Sequence, residues 1–513
     1  MEVMGSDKSL KKCTYEDALD ISGFGKYTYG MLSVCCLLIL EMSIDIFGFS
    51  VLLPSVTCDM NLTTNQQGLL SAVPLVGIMV SSYAWGLCAD TLGRRKTMIV
   101  AMPIGLLFNL ATSIAPNFTS LCLLKLLSAG FSSSANAAAF VLLGETVPRQ
   151  YRSRFMFLMA SATMVGQLFI SLPALATFSL KFHIYVPWLG MEYRPWRLLM
   201  QILCIPGLLG IIGILLLEES PKFLLSKGLE DKALDVLKKM YHSNTGLDYD
   251  NYPVRTLHLE KSDLKTSSSS SDSILRHMWN QTAPLFKPPL LKNSLMLYFI
   301  LLCAYMTSTG FTMWVPTMSN AYFNGEDTTG KTFCEVLTAS IRVTSSKYAN
   351  STSKITRDCD DVIRPLTLYA VIIYSGLCGT LNLLLTFIVG PLGKKKTTLL
   401  VFIVCITAGI VLMFVRVPML SMLMFYIFPY VALILGNINS YLVELNPTYL
   451  RGMATCLSVM VARGFGFASV QLIGALLISN CEPMMAGYIV LVILGLITAC
   501  FLPPDSAVSA LAK

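Results

Sequence analysis

Charged residues are scarce in this chain. Of its 513 residues only 13% are Asp, Glu, Lys or Arg, whereas a soluble domain carries roughly 25%. Hydrophobic residues make up 54%, and the mean hydropathy is +0.64. A membrane-spanning helix needs about 20 mostly apolar residues, and such segments follow one another along most of the sequence. The composition therefore excludes a soluble protein and predicts that most of the chain lies in lipid.

Patterns that bind metals, cofactors or nucleic acids are also lacking. The chain has four His residues, no CxxC pair and no Cys/His spacing of a zinc site. It contains no nucleotide-binding loop, nucleophile elbow or paired His cluster. We therefore predict no metal, no cofactor and no catalytic residue, and an integral-membrane enzyme is the most distant alternative. The net charge of +8 requires no nucleic-acid partner, because much of it lies in short loops between apolar segments.

Short basic loops alternate with short loops that contain no Lys or Arg, and the segment Phe178–Arg197, with Lys181, Arg194 and Arg197 on the predicted outer side, is a partial exception. By the positive-inside rule the basic loops face the cytosol. Twelve apolar segments, an even number, then place both termini in the cytosol as well. The basic loops lie near Arg94–Lys96, Arg149–Arg154, Lys394–Lys396 and Arg451.

The twelve segments fall into two sets of six, separated by a polar linker. We predict an all-α integral membrane protein with twelve transmembrane helices in two six-helix bundles, a repeat that places a substrate site near the bilayer midplane. The linker contains an amphipathic stretch, Glu230–Tyr241, and the Ser-rich run Thr266–Ser273. The predicted units are a cytosolic tail (1–28), an N-terminal bundle (29–217), the linker (218–292), a C-terminal bundle (293–502) with an outer loop (320–364), and a cytosolic tail (503–513).

Charged turns between the apolar segments carry a family resemblance. The run GLCADTLGRRK, Gly86–Lys96, resembles the turn between the second and third spans of the major facilitator superfamily, and GPLGKKK, Gly390–Lys396, is a looser copy. The runs ETVPRQYRSR, ESPKFLL and ELNPTYLRG resemble the turns after spans four, six and ten. With the first span, which ends FGFSVLLPS, they are similar to the synaptic vesicle glycoprotein 2 branch and its organic-ion and sugar-porter relatives.

This resemblance implies a role for the charged residues of the turns. In the family, such charges latch the two halves together on the cytosolic side. A carboxylate can accept hydrogen bonds from a helix N-terminus, and Arg can pair with a carboxylate of a neighbouring helix. The alternative is that the basic residues only set the orientation in the membrane. The implied network consists of Asp90, Arg94, Arg95, Glu145, Arg152, Arg154, Glu444 and Arg451.

Two acidic residues lie inside the first apolar segment. Glu41 and Asp45 are four residues apart, so both face one side of a helix. A carboxylate within the membrane is costly and faces a cavity or a partner. We expect a cation or proton site here, and a structural ion pair is the alternative.

Arg463 and two aromatic residues are the other candidates for contact with a ligand. Arg463 lies in the run VARGFGF, which resembles a run in organic-anion members of the family and implies contact with an anionic group. The alternative is a salt bridge to Asp45 or Glu41 that joins the two halves. Tyr305 and Trp314, in the seventh segment, either line an organic-ligand pocket or pack against other helices.

These features predict a transporter that moves a small, charged organic solute by alternating access, coupled to protons or another ion. Sugar is the second substrate class. The alternative is a transporter-like vesicle receptor or scaffold that does not transport. The expected partners are the solute and the lipid bilayer, and the expected transport unit is a monomer. The expected location is the plasma membrane or a secretory vesicle.

The loop over 320–364 is predicted to face away from the cytosol. Cys334 and Cys359 lie in it, and an oxidising environment would allow a disulfide between them. Asn350 begins a glycosylation sequon, Asn-Ser-Thr.

N-glycosylation tests this topology. Glycosidase should sharpen the wild-type band on a gel, and Asn350→Gln should already migrate close to that mobility, because its sequon lies in the long outer loop. The sequon at Asn280 lies in the predicted cytosolic linker and should stay bare. A glycan on Asn280 would invert the second half and contradict the predicted topology.

Overall fold

The described part of the chain is mostly helical. A computed structural model describes residues 11–180, 182–188, 190–258, 283–288, 290–324, 330–340, 365–446 and 451–504. The first part of the chain comprises β1 (Lys11–Thr14), α1 (Tyr15–Ile21), α2 (Lys26–Met60), α3 (Thr64–Leu92), α4 (Arg94–Thr112), α5 (Phe118–Ser132), α6 (Ser134–Thr146), α7 (Arg149–Met164), α8 (Gly166–Thr177), β2 (Ile184–Val186), β3 (Met191–Tyr193), α9 (Pro195–Ile202) and α10 (Ile205–Leu216).

The linker and the second half continue this pattern. A 3₁₀ segment, Phe428–Ile434, joins two of the helices into one span. The elements are α11 (Pro221–Ser226), α12 (Glu230–Thr245), β4 (Val254–His258), α13 (Leu291–Phe323), α14 (333–340), α15 (Pro365–Leu392), α16 (Lys394–Phe414), α17 (Pro418–Ile427), α18 (Leu435–Leu445), α19 (Arg451–Leu476) and α20 (Cys481–Cys500).

Within the described residues, ten helices are long and apolar enough to cross a membrane, and the bent pair α7–α8 makes eleven. The twelfth is α4, which has 19 residues and packs against α5, α6 and α10. It falls short on hydropathy because it begins with the cations Arg94, Arg95 and Lys96. The predicted all-α membrane fold with twelve helices is confirmed.

The helices α2 to α10 form one half of the molecule, and α13 to α20 form the other. We call the end that carries the turns Gly93–Lys96 and Gly393–Lys396 the basic end, and the other the opposite end. The first helix, α2, runs from the basic end at Lys26 to the opposite end at Met60. Residues 11–25 and the described part of the linker therefore lie at the basic end.

The two halves meet along α3 with α19 and along α8 with α15. The chain bends by 43° between α7 and α8. Ser375 of α15 bonds to the backbone at this bend: its Oγ accepts at 3.2 Å from Leu168 N, which also donates to Val165 O, and the same Oγ donates to Met164 O at 3.1 Å. Gln167 Nε2 also crosses between the halves and donates to Thr312 O at 3.0 Å. The interface thus depends on neutral hydrogen bonds.

A small subdomain covers part of the basic end. Strand β1 pairs in parallel with β4, so the N-terminal residues are joined to the linker. Apolar side chains of α1 and of the amphipathic helix α12, with Tyr252, Val254 and Leu257, form a separate buried cluster. Its edge includes Tyr27, at the start of α2, and thereby connects the subdomain to the first span.

At the opposite end, Arg side chains are neutralised by Asp59. Arg194 Nε lies 3.1 Å from Asp59 Oδ1, and Arg197 Nη2 lies 3.1 Å from Asp59 Oδ2. Arg197 Nη1 also donates to the carbonyl oxygens of Ser113, at 3.1 Å, and Ala115, at 2.8 Å. These contacts tie α9 to the ends of α2 and α4.

The disulfide predicted between Cys334 and Cys359 is wrong. Cys334 bonds to Cys481, with a Cα–Cα distance of 5.7 Å. The partner is 147 residues away in sequence, because α14 folds back onto the start of α20. Cys359, like Asn350 and Asn280, lies outside the described residues.

Candidate functional site

A buried ion pair lies at the centre of the N-terminal half. Asp45 of α2 and Lys125 of α5 are almost completely buried, and Lys125 Nζ donates to Asp45 Oδ1. The hydroxyls of Ser128, at 3.0 Å, and Ser132, at 2.9 Å, donate to Asp45 Oδ2. Both oxygens of this carboxylate are therefore hydrogen-bonded, which is what an ion pair needs in a medium of low polarity.

Glu41 continues this cluster towards the basic end. Asn109 of α4 joins the two parts, since its Nδ2 donates to Glu41 Oε1 at 3.1 Å and its Oδ1 accepts from Lys125 Nζ at 3.3 Å. The other face of Glu41 meets α10, where a Cβ on Gly207 would lie 2.7 Å from Glu41 Cδ. Glu41 Oε2 is buried and has no hydrogen-bond partner among the described atoms.

The sequence explains half of this arrangement. The four-residue spacing of Glu41 and Asp45 places both on the inner face of α2, as expected. Lys125 was not among the predicted site residues, although it stands alone in the apolar run LCLLKLLSAG. The rule that flagged Asp45, that an ionisable residue inside a membrane segment needs a reason, applies equally to Lys125. Asn109 offered no comparable signal.

Arg463 belongs to a different environment. The predicted alternative of a salt bridge to Asp45 or Glu41 does not occur, because Lys125 is the partner of Asp45. Arg463 is half-buried on α19, its Nε has no hydrogen-bond partner among the described atoms, and it lies close enough to Tyr305 for electrostatic interaction. No ion pair of Arg463 occurs in the described part of the chain.

Trp314 packs between helices. It is 1% exposed, and its Nε1 donates to Val470 O of α19 at 3.1 Å. A Cβ on Gly68 would lie 3.5 Å from its ring, and one on Gly474 would lie 3.0 Å from it. Two glycines thus make room for the indole near the opposite end, where α3 of one half meets α13 and α19 of the other. This geometry favours the packing alternative over a ligand contact.

The turn between α3 and α4 is built around Glu219. Its Oε1 accepts from Arg95 N at 2.9 Å and its Oε2 from Lys96 N at 3.2 Å, so the carboxylate caps the N-terminus of α4. Gly93 has a φ of +112°, and a Cβ there would lie 2.9 Å from Glu219 Cδ. A glycine is required by both the backbone angle and the carboxylate. Arg95 completes the turn by donating to the carbonyls of Ile214 and Leu215.

Arg94 links this turn to α6. Its Nη2 lies 3.2 Å from Glu145 Oε1 and 3.3 Å from Asp90 Oδ1, and its guanidinium stands 5.0 Å from the ring centroid of Phe223. Ser220 Oγ donates to the other oxygen of Glu145. All of these partners belong to the N-terminal half and its linker. The described contacts therefore brace one half and do not latch it to the other.

Arg152 pairs with a residue that sequence reasoning missed. Its Nη2 lies 2.6 Å from Glu16 Oε2, and Arg149 Nε reaches the same oxygen at 3.4 Å. Tyr15 O–H donates to Glu145 O, and burial raises the pKa of Tyr15 well above its ordinary value. The N-terminal segment is thus fixed to the start of α7. Arg154 is exposed, and the side chains of Glu444 and Arg451 lie outside the described part of the structure.

Comparison with known proteins agrees with the fold and the motifs. The family model described as Major Facilitator Superfamily matches residues 35–470. Synaptic vesicle glycoprotein 2A of Rattus norvegicus is 22% identical over 322 residues, which cover 59% of this chain and 43% of that protein. Synaptic vesicle glycoprotein 2B of the same species is 23% identical over 331 residues, which cover 61% and 48%. The match thus spans less than half the length of these relatives.

Solved structures share the fold. The inward-open conformation of the xylose transporter XylE from E. coli superposes with a TM-score of 0.65 at 16% identity, over 95% of this chain and 100% of that one. Its partially occluded inward-open conformation gives a TM-score of 0.63 at 14% identity, over 93% and 100%.

The glycine at the α3–α4 turn provides a test of the basic-end geometry. Gly93→Ala should lower the thermal stability of the purified protein for two reasons. The backbone at φ +112° and ψ 153° lies in a region occupied essentially by glycine alone, which costs other residues about 1–3 kcal/mol, and the added Cβ would clash with Glu219. Gly228→Ala is the control for a positive φ without a clash, since Gly228 has a φ of +75° with open space around it. Equal losses of stability in the two variants would contradict the role given to Glu219.

Proposed function

Because this chain belongs to the major facilitator superfamily, a family of transporters, we propose that it moves a small organic anion across a membrane by alternating access. We further propose that protons drive this movement. The proposal rests on two charged sites inside the membrane-spanning helices: the Asp45–Lys125 pair in the N-terminal half, and Arg463 in the C-terminal half, which has no ion-pair partner among the described residues.

The observation that carries the choice of an anion is the environment of Arg463. Its guanidinium has five N–H donors and is always charged, yet within the described residues it has no carboxylate partner and its Nε is unsatisfied. A carboxylate or sulfonate of a solute would supply both the charge and the acceptor. Tyr305, half-buried beside it, offers a hydroxyl and a ring face to the same solute.

Proton coupling is proposed for the Asp45–Lys125 pair. Protonation of Asp45 would remove the charge that holds Lys125 and release its ammonium, which would then need another partner. Such a change would alter the packing of α2 against α5. Both helices belong to the N-terminal half, which moves relative to the C-terminal half in the proposed alternating access. Binding a proton together with an anion would also leave the complex with less net charge to carry across the membrane.

Contacts between the halves support a state that opens at the basic end. Near the opposite end, Trp314 fills the space between α3, α13 and α19, and Gln167 bridges α8 to α13. At the basic end, the described ion pairs join elements of the N-terminal half only. If the basic end faces the cytosol, as the loop charges predict, this arrangement is inward-facing.

The two alternative functions, sugar transport and a vesicle receptor or scaffold, would require different groups inside the membrane. A sugar needs neutral hydrogen-bonding groups and gives no reason for an uncompensated Arg463. The resemblance to xylose transporter structures, at 14–16% identity, concerns the fold alone. A vesicle receptor or scaffold, suggested by the names of the curated relatives, would not need a titratable cluster inside the membrane.

Uptake into proteoliposomes tests the proposal. Purified protein should accumulate members of a panel of radiolabelled organic anions, faster with a proton gradient directed inward. Arg463→Gln should lower the apparent affinity about 10- to 100-fold, since a charged hydrogen bond contributes about 1.5–3 kcal/mol. Arg463→Lys, which keeps the charge, should lose less.

A second variant separates coupling from binding. Asp45→Asn should still bind the anion but lose the response to the proton gradient, because the amide cannot take up a proton. Uptake of xylose or glucose in place of anions, or unchanged uptake and pH dependence in both variants, would contradict the proposal.

A further inference from the structure

The buried cluster holds two carboxylates but only one ammonium. Glu41, Asp45 and Lys125 are 2%, 0% and 1% exposed respectively. The groups that face Glu41 are Asp45 on its own helix, Asn109 of α4, Lys125 of α5, and Cys204 and Gly207 of α10. With both carboxylates ionised, these groups would leave a net negative charge in a medium of low polarity, which is strongly unfavourable.

Asp45 is the better compensated of the two carboxylates. One of its oxygens receives the ammonium of Lys125, and the other receives the hydroxyls of Ser128 and Ser132. Three donors on two oxygens satisfy an ionised carboxylate. Asp45 is therefore the charged member of the pair.

The donors to Glu41 are all neutral: the amide of Asn109 and the backbone N–H of Gly207 at the start of α10. Asn109 Nδ2 reaches Oε1, while Oε2 has no hydrogen-bond partner among the described atoms. Lys125 Nζ bonds to the far side of the same amide, to Asn109 Oδ1, so the amide stands between the ammonium and Glu41. Because Glu41 has no cationic donor while Asp45 has Lys125, Glu41 is the natural site for a proton.

We propose that Glu41 carries a proton on Oε2 in this state, which makes the cluster electrically neutral, and that Asn109 is the positioning residue that separates it from Lys125. This deepens the proposed proton-coupled transport and rests on it for the proton's role. The proton belongs to whichever carboxylate lacks the ammonium. When Lys125 moves past Asn109 to Glu41, the O–H bond of Glu41 breaks and its proton passes to water, Asp45 takes up a proton from water to form a new O–H bond, and the cluster stays neutral.

The N-terminus of α10, after the break from α9, also stabilises the ionised form of Glu41. Helix α10 begins at Ile205, so its first turn, with Gly207, faces the carboxylate inside the bundle. The free N–H groups of a helix start favour a negative charge. Glu41 can thus exist in both forms, as a group that takes up and releases a proton must.

Infrared spectroscopy of the purified protein in lipid at neutral pH tests this protonation directly. Wild type should show the carbonyl band of a protonated, buried carboxyl group that exchanges slowly in D₂O. Glu41→Gln should lose the band, and Glu192→Gln, which removes an exposed glutamate of β3, should keep it. Lys125→Met should strengthen the band, because both carboxylates would then have to be neutral.

A second measurement applies if Glu41→Gln fails to fold. Asn109→Leu removes the donor to Oε1 and should shift the band to higher wavenumber without removing it. Absence of the band in wild type, or its persistence in folded Glu41→Gln, would overturn the inference. Failure of wild type to transport any anion would instead contradict the proposed function and leave the band in place.

Discussion

The ion pair between Asp45 and Lys125 determines how the N-terminal half is assembled. A charge inside a membrane protein is tolerated only with a partner of opposite sign and with its other hydrogen bonds made. Asp45 meets that requirement by drawing Lys125, Ser128 and Ser132 of α5 against α2. Asn109 brings α4 into the same cluster. Three helices are thereby positioned around one carboxylate, and the fit of Gly207 against Glu41 positions a fourth.

The other ionic contacts of the described residues also join elements within the N-terminal half and its linker. At the basic end Glu219 caps α4 and Glu145 holds Arg94, while at the opposite end Asp59 neutralises Arg197. These contacts stay within the N-terminal half and its linker. The halves touch through hydroxyl and amide hydrogen bonds and through small residues, which are easier to exchange than buried charges. Such an interface suits the proposed alternating access, in which one bundle rocks against the other.

Sequence reasoning predicted the elements with local signals. Apolar length and loop charge predicted the twelve helices, and the motif around Gly93 correctly marked a structured turn. Sequence reasoning missed partners that are distant along the chain. Lys125 is 80 residues from its partner Asp45, and Cys481, not Cys359, is the disulfide partner of Cys334. Periodicity gives the face of a helix but not which other helix that face meets. Lys125 alone could have been found, from its charge inside an apolar run, whereas Glu16 and Glu219 in polar segments resemble any solvated acid.

The central claim is that Asp45 and Lys125 compensate each other inside the membrane, and a double-mutant cycle on thermal stability tests it most directly. Asp45→Asn and Lys125→Met should each destabilise the purified protein, by up to about 3–5 kcal/mol, because each removes one partner of the buried pair and the protonation of the remaining groups must change to compensate. The double variant, which leaves neither charge, should recover most of that loss. Strictly additive losses in the double variant would contradict the account.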